Sequence, residues 1–287
     1  MPRGRKPTKK DLEVSYTPEP EMQYREPRSS GPATLLVVLL IVISFVAGYL
    51  FFKVKTLEQT GTTATTTTPQ NQTGKPTATV TLDQVKKLFA NGFIHFGNTN
   101  SKLLIVEITD PSCPYCHLAG GLDPQLAKQD GPQFQYATDG GSYDPPVTEL
   151  RKLVDSGKAS LAFLYAPGHG NGALGMQALY CAFDQGKFWE AHDKLMSDAG
   201  YTLLNTTLQN DPKNIPQLVD FLSGAVDTNA LTACLQSGKY AKALTRDTNL
   251  APTLGYQGTP HFLLNTTMFP GAVDYSSMAP VVAAALK

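Results

Sequence analysis

The sequence predicts an α/β domain with a helical insertion, preceded by one transmembrane helix. The first observation is an uncharged apolar run at residues 33–52. The second is a pair of strand-like segments, "KLLIVEITD" at 102–110 and "TPHFLLNTT" at 259–267, near the two ends of residues 80–287. The third is a mostly helical pattern between them, at about 172–254. Strands at both ends of a helical block indicate a mixed α/β domain.

The apolar run predicts a retained membrane anchor. It has 20 residues, "ATLLVVLLIVISFVAGYLFF", which is long enough to span a bilayer as a helix. It is longer than a typical signal-peptide core, follows a 32-residue polar tail and lacks a small-x-small cleavage site before Lys53. A cleaved signal peptide is therefore the less favoured alternative.

Basic residues around this run predict its orientation. Those that precede it are Arg3, Arg5, Lys6, Lys9, Lys10, Arg25 and Arg28, whereas only Lys53 and Lys55 follow closely. Because basic residues stay on the cytoplasmic side, we expect a single-pass cell-membrane protein with a cytoplasmic N-terminus. Everything after the run, including the predicted folded domain at residues 80–287, is then extracytoplasmic.

The segments beside the anchor have compositions that do not support a core. Residues 1–32 are polar and rich in Pro and charge, which predicts a disordered cytoplasmic tail. Residues 53–79 are predicted to be a linker, because 11 of the 24 residues from 56 to 79 are Thr. The formal net charge is zero, and the folded part has no basic stripe, so nucleic acid is not an expected partner.

The segment "DPSCPYCHLAGG", residues 110–121, has two possible interpretations. Cys113 and Cys116 have the spacing of a thiol–disulfide redox centre. Followed by His117, they also have the spacing at which c-type haem is attached. All four cysteines follow the anchor, and an even number in an oxidising compartment favours disulfide chemistry, although c-type haem is also attached there.

The surroundings of the two cysteines favour a dithiol. A buried strand comes directly before them and a helix follows, so Cys113 is expected at a helix N-terminus, where a thiolate is stabilised. Ser112 is a candidate N-cap, and Pro114 suits the first helical turn. A haem-attachment segment needs none of this context.

Three segments together, "EITDPSCPYC", "ALYCAFDQGKFWEAHDKLM" and "YQGTPHFLLN", resemble the DsbA family of thioredoxin-fold thiol–disulfide oxidoreductases. The resemblance covers residues 80–287 and implies a thioredoxin-like fold with an inserted helical subdomain. It implies an extracytoplasmic enzyme that introduces or exchanges disulfides in thiol-containing exported proteins, without a cofactor. A quinone-linked membrane protein that reoxidises the cysteines is the partner that the resemblance implies.

The resemblance also assigns roles to single residues. Cys113 would be the exposed nucleophile and Cys116 the buried resolving thiol. Pro260 would be a cis-proline beside them, and the backbone of Thr259 would pair with an extended substrate segment; an ordinary trans proline is the alternative. Glu107, inside the buried strand, would be an acid that takes the proton of the resolving cysteine, the alternative being an acid at a solvated strand edge.

Other positions depart from the family pattern. The strongest oxidants of the family have histidine between the cysteines, where this chain has Tyr115. Pro114, Tyr115 and His117 are the residues expected to tune the redox pair, and a neutral surface histidine is the alternative for His117. Gly120–Gly121 should end the helix, and residues 122–146 then look like an insertion that faces substrate.

Cys181 and Cys234 lie in two predicted helices of the insertion. A zinc site built from all four cysteines is disfavoured, because zinc ligands usually come in closely spaced pairs. A structural disulfide between Cys181 and Cys234 is the preferred interpretation, and two buried free thiols are the alternative.

Three rival functions remain. The first is a disulfide reductase or isomerase of the same fold, which the sequence does not separate from an oxidase. The second is a c-type cytochrome with His117 as one axial ligand and a methionine such as Met176 as the other. The third is a membrane-tethered chaperone that does not use its thiols, although binding alone requires neither Cys113 nor Cys116.

Overall fold

The computed structural model describes residues 79–287. The predicted tail (1–32), the predicted anchor (33–52) and nearly all of the predicted linker (53–79) lie outside the described residues. Within residues 79–287, every helix is too short or too polar to cross a membrane.

A five-stranded mixed sheet forms the centre of the fold. Its strands, in chain order, are β1 (Ile94–Phe96), β2 (Leu103–Thr109), β3 (Ala159–Tyr165), β4 (His261–Leu264) and β5 (Thr267–Pro270). In space the order is β1-β3-β2-β4-β5, with β2 and β3 parallel and the other pairs antiparallel. β2 is the middle strand and every one of its residues is buried, as its apolar sequence predicts.

Helices surround the sheet. The α-helices of the described residues are α1 (Leu82–Lys86), α2 (Pro114–Gly120), α3 (Pro124–Gln129), α4 (Pro146–Asp155), α5 (Ala173–Asp184), α6 (Phe188–Leu195), α7 (Asp198–Thr202), α8 (Ile215–Phe221), α9 (Thr228–Gln236), α10 (Ala241–Leu250) and α11 (Tyr275–Leu286). Shorter helical turns are Lys87–Phe89, Pro132–Phe134, Ala137–Asp139, Leu203–Leu208, Pro212–Asn214 and Ala251–Leu254. The helices from α5 to α10 are the predicted insertion between β3 and β4.

Both faces of the sheet are covered, since alternate residues of a strand point to opposite faces. Leu103 and Ile105 belong to the larger hydrophobic cluster, which includes the apolar side chains of α5 and α6. Leu104 and Val106 belong to a second cluster with Val85 of α1. The sheet is therefore buried between two helical layers. The C-terminal end of β2 leads into the segment that carries Cys113.

A disulfide holds the helical insertion together. Cys181 of α5 and Cys234 of α9 are bonded, with their Cα atoms 6.0 Å apart and a sequence separation of 53. Cys181 is buried in the larger cluster, beside Leu179 and Leu231. Two buried free thiols, the alternative interpretation of this pair, are excluded by this bond.

Candidate active site

The end of β2 and the start of α2 position the two remaining cysteines. Cys113 is the N-cap residue of α2, and Pro114 occupies the first turn, where its missing N–H is not needed. The backbone N–H of Cys113 donates to the carbonyl oxygen of Asp110 over 2.9 Å, and that of Cys116 donates to the carbonyl oxygen of Cys113 over 3.0 Å. The prediction that Ser112 is the N-cap is wrong, because its hydroxyl donates to the Asp110 carboxylate instead.

Both cysteines carry free thiols, and both are covered by protein. Cys113 is 4% exposed, and its sulfur donates to the carbonyl oxygen of Thr259 over 3.4 Å. The two thiols form a small buried cluster with Met196, against which Leu122 packs. Cys113 is therefore less exposed than the family resemblance implies, and its sulfur lies against the backbone of Thr259.

The acidities of the two thiols differ strongly. The Cys116 thiol lowers the pKa of Cys113 to about 6 against the effect of burial, with help from Thr259 and from the backbone N–H groups of Cys116 and Tyr115. Burial raises the pKa of Cys116 well above its usual value, and the neighbouring Cys113 raises it further. One thiol is therefore ionised near neutral pH while the other holds its proton, which is the asymmetry that thiol–disulfide exchange requires.

Glu107 lies in the interior beneath the cysteines, not at a solvated strand edge. It is 1% exposed, and burial raises its pKa to about 8, although the Thr109 hydroxyl acts against this. Thr109 also lowers the pKa of Cys116, so its hydroxyl lies near both groups, without a hydrogen bond of standard geometry to either. A carboxyl group that is protonated at neutral pH, with the Thr109 hydroxyl near both it and the resolving thiol, is suited to exchange a proton.

The peptide bond between Thr259 and Pro260 is cis, and it leads directly into β4. Close packing surrounds this loop, because a Cβ atom on Gly168 would lie only 1.7 Å from the Thr259 hydroxyl oxygen. The carbonyl of Thr259 faces Cys113, so the structure brings together the two segments that the sequence separates by 146 residues.

Asp110 is an organising residue that the sequence analysis missed. Its fully buried carboxylate accepts hydrogen bonds from the backbone N–H groups of Gly168 and His169 over 2.8 and 2.9 Å. It also accepts from the N–H of Ser112 over 2.8 Å. Asp110 thus fixes the segment before Cys113 to the loop that packs on Thr259. The sequence signal that could have identified Asp110 was the position of this carboxylate, directly after a buried strand and before the cysteines.

The tuning residues occupy different environments. Tyr115 is 46% exposed, beside the path to Cys113. His117 is fully buried, so the alternative of a surface histidine is wrong. Its Nε2 atom lies 2.8 Å from the carbonyl oxygen of Pro111, and its Nδ1 atom lies 3.6 Å from the Asp123 carboxylate. The burial of the ring and the contact of Nε2 with the Pro111 carbonyl disfavour His117 as a haem ligand.

Metal chemistry has no evident site in the described residues. No three His, Cys, Asp or Glu side chains between residues 79 and 287 converge as ligands. The Cys181–Cys234 disulfide lies in a different hydrophobic cluster from Cys113 and Cys116. The arrangement around Cys113 is therefore a dithiol centre with one ionised and one protonated sulfur, beside a cis-proline loop.

Comparisons with known proteins agree with this fold. Residues 147–284, which include the cis-proline loop but not the two free cysteines, match the family model described as Thioredoxin. The solved structure of alpha-DsbA1 from Wolbachia pipientis is 16% identical, with a TM-score of 0.51 over 69% of this chain and 92% of that chain. Its similarity shows a thioredoxin-like fold with a helical insertion.

Two further solved structures match this chain over similar shares of its length. BdbD from Bacillus subtilis is 17% identical, with a TM-score of 0.49 over 68% of this chain and 93% of that chain. The catalytic domain of ScsC from Proteus mirabilis is 21% identical, with a TM-score of 0.49 over 72% of this chain and 99% of that chain. No curated protein sequence matches the chain.

Proposed function

We propose that this protein is an extracytoplasmic thiol–disulfide oxidoreductase that introduces or exchanges disulfide bonds in exported proteins through Cys113 and Cys116. The observation that carries the proposal is the opposite perturbation of the two thiols, with the pKa of Cys113 lowered to about 6 and that of Cys116 raised. A dithiol that only stabilised the fold would not need an ionised sulfur, and its loop is too short to restrict the unfolded chain much.

In the proposed reaction, a substrate thiolate attacks Cys113 of the oxidised pair. A bond forms between the substrate sulfur and Cys113, and the bond between Cys113 and Cys116 breaks, so that Cys116 leaves as a thiolate and takes up a proton. A second substrate thiolate then attacks the substrate sulfur of this mixed disulfide, and Cys113 leaves as a thiolate. The substrate loses two electrons and the enzyme gains them.

Several residues support these steps. The backbone N–H groups of Tyr115 and Cys116 stabilise the departing Cys113 thiolate. Glu107, with its pKa raised to about 8, supplies a proton to the departing Cys116 thiolate and removes it when the disulfide is formed again. The backbone of Thr259, whose carbonyl faces Cys113, pairs with an extended segment of the substrate.

The cellular setting is part of the proposal. The apolar run at residues 33–52 would anchor the protein in the cell membrane, with the N-terminus in the cytoplasm and the redox centre outside. A quinone-linked membrane protein would then reoxidise the Cys113–Cys116 pair, and the anchor would keep the two proteins close together.

A redox titration of the full chain in glutathione buffers tests the proposal. The oxidation of Cys113 and Cys116 is followed by mass-tagging of thiols or by the fluorescence of Trp189, the single tryptophan. A potential between about −120 and −180 mV supports a donor of disulfides. A potential near about −270 mV would make the protein a reductase, and a pair that does not exchange with glutathione at all would overturn the proposal.

A further inference from the structure

Residues 122–144 form an excursion that leaves the redox helix and returns to the same place. Helix α2 ends at Gly121, whose positive φ of 74° stops the helix. Helix α4 begins directly after Pro145. A Cβ atom on Gly121 would lie 2.7 Å from the Cβ atom of Pro145, so the two ends of the excursion are in contact. We call residues 122–144 the excursion.

The excursion is folded against the redox helix. Leu126, Tyr136 and Tyr143 form a buried hydrophobic cluster with Leu118 of α2. The Tyr136 hydroxyl donates to the carbonyl oxygen of Asp123 over 3.2 Å. Tyr136 and Tyr143 also stack, with ring centroids 6.2 Å apart. These contacts hold the excursion in place along one side of α2.

An aromatic side chain of the excursion reaches the redox centre. The ring of Phe134, which is half-buried, lies 5.9 Å from the ring of Tyr115 and is supported from behind by Tyr143 at 5.6 Å. Tyr115 is 46% exposed, and Leu82 is the only other large apolar side chain of residues 79–287 with comparable exposure. An exposed aromatic ring between the two cysteines therefore continues into the excursion.

The position of the reacting sulfur identifies what covers this surface. A substrate cysteine bonded to Cys113 has its Cα atom within about 4.4–6.8 Å of the Cα atom of Cys113. Each neighbouring residue of an extended substrate advances by about 3.3 Å, which is short enough for a residue that flanks the substrate cysteine to lie against Tyr115, two residues after Cys113. A large apolar side chain there would remove the faces of Tyr115 and Phe134 from water.

We infer that Tyr115 and Phe134 form a ledge that binds a large apolar side chain next to the reacting cysteine of the substrate. This inference rests on the proposed function and names its substrate preference. In this inference the cis-proline loop binds the substrate backbone, and the ledge binds a side chain that flanks the reacting cysteine. Phe134 reaches the substrate because the excursion is fixed to α2 through Tyr136 and Tyr143.

Two dithiol peptides that differ only in the residue after the first cysteine, Leu or Ser, test the ledge. The oxidised full chain is mixed with each peptide, and the rate of reduction of the Cys113–Cys116 disulfide is followed. We expect the Leu peptide to react about fivefold faster. In Phe134→Ala and in Tyr115→Ala this ratio should fall towards one. Leu82→Ala removes an equally exposed apolar side chain elsewhere and should keep the ratio of the wild type.

The rate with dithiothreitol serves as the reference in each variant, because this reductant carries no flanking side chain. If Phe134→Ala loses its fold, as judged by circular dichroism, Phe134→Ser and Phe134→Leu replace it, and only the Leu variant should keep most of the preference. Equal rates for the two peptides in the wild type, or an unchanged ratio in the Phe134 variants, would overturn the ledge. If even dithiothreitol fails to reduce the oxidised pair, the proposed function fails and the ledge with it.

Discussion

The two cysteine pairs of this chain lie in different regions and differ in every physical respect. Cys113 and Cys116 are separated by two residues, at the point where the central strand gives way to a helix, and carry free thiols. Cys181 and Cys234, at a sequence separation of 53, connect two helices of the insertion and form a disulfide. The Cys113 sulfur donates to the backbone carbonyl of Thr259, whereas Cys181 lies among the apolar side chains of the larger hydrophobic cluster.

The difference teaches how position decides what a cysteine does. Backbone N–H groups at the start of α2 stabilise a thiolate on Cys113, so its bond to Cys116 is broken readily. Cys181 lies within the larger hydrophobic cluster, where a thiolate would be costly. Its bond closes a long loop, which restricts the unfolded chain far more than a two-residue loop does.

Serine substitutions should give the largest difference in exchange activity between the two pairs. In Cys113→Ser, disulfide exchange with a thiol-containing protein should be abolished, because the reacting sulfur is missing. In Cys116→Ser, mixed disulfides with Cys113 should accumulate, because nothing resolves them, and non-reducing electrophoresis detects them. The double variant Cys181→Ser with Cys234→Ser is the matched control and should keep exchange activity while it is folded. Exchange that survives in Cys113→Ser would refute the assignment of the nucleophile.

Loss of the Cys181–Cys234 pair should reduce the stability of the fold more than loss of the Cys113–Cys116 pair, which is the reverse of their effects on exchange activity. Replacing both Cys181 and Cys234 with alanine should lower the free energy of unfolding by about 2–4 kcal/mol, since the disulfide closes a loop with a sequence separation of 53 residues. Chemical denaturation of the full chain measures this change. Replacing both Cys113 and Cys116 with alanine is the comparison, and it should lower the free energy by less. A larger loss from the active-site pair would mean that the structural role has been assigned to the wrong cysteines.

The pH dependence of the reduced protein sharpens the comparison further. The pKa of Cys113 is lowered from its ordinary value of 9.0 to about 6, so the ultraviolet absorbance of its thiolate should appear with a midpoint near pH 6. The folded thiolate then adds stability that is complete above about pH 9 and is lost as the pH falls through about 6. Relative to Cys113→Ser, the reduced wild type should therefore gain stability as the pH rises between these values. A midpoint near 9 would contradict the stabilised thiolate.

Local sequence features were sufficient for much of the fold and of the candidate site. The mostly apolar run "LLIVEIT" predicted the buried central strand, because a strand covered on both faces has a near-continuous apolar sequence. The spacing of Cys113 and Cys116 and the following proline predicted a dithiol at a helix start. The predicted anchor and linker lie outside the described residues, and they stay predictions.

Other features depended on contacts between distant segments. The exposure of Cys113 was overestimated, because Met196, which packs with both thiols, comes from the helical insertion, far from the cysteines in sequence. His117 was given a surface alternative, whereas the excursion and Tyr201 enclose its ring. Asp110 was missed, because the hydrogen bonds that tie it to another segment come from the N–H groups of Gly168 and His169, at sequence separations of 58 and 59.

The sequence by itself determined which residues can do chemistry: two closely spaced cysteines after an apolar strand, an acid within that strand, and a Gly-Thr-Pro before another strand. These patterns are local, so the propensities of a few neighbouring residues are enough to read them. Only the tertiary structure decided how acidic each thiol is and what surrounds it. The pKa of a buried group depends on desolvation and on the charges and donors near it in space, and the packing of distant segments fixes these.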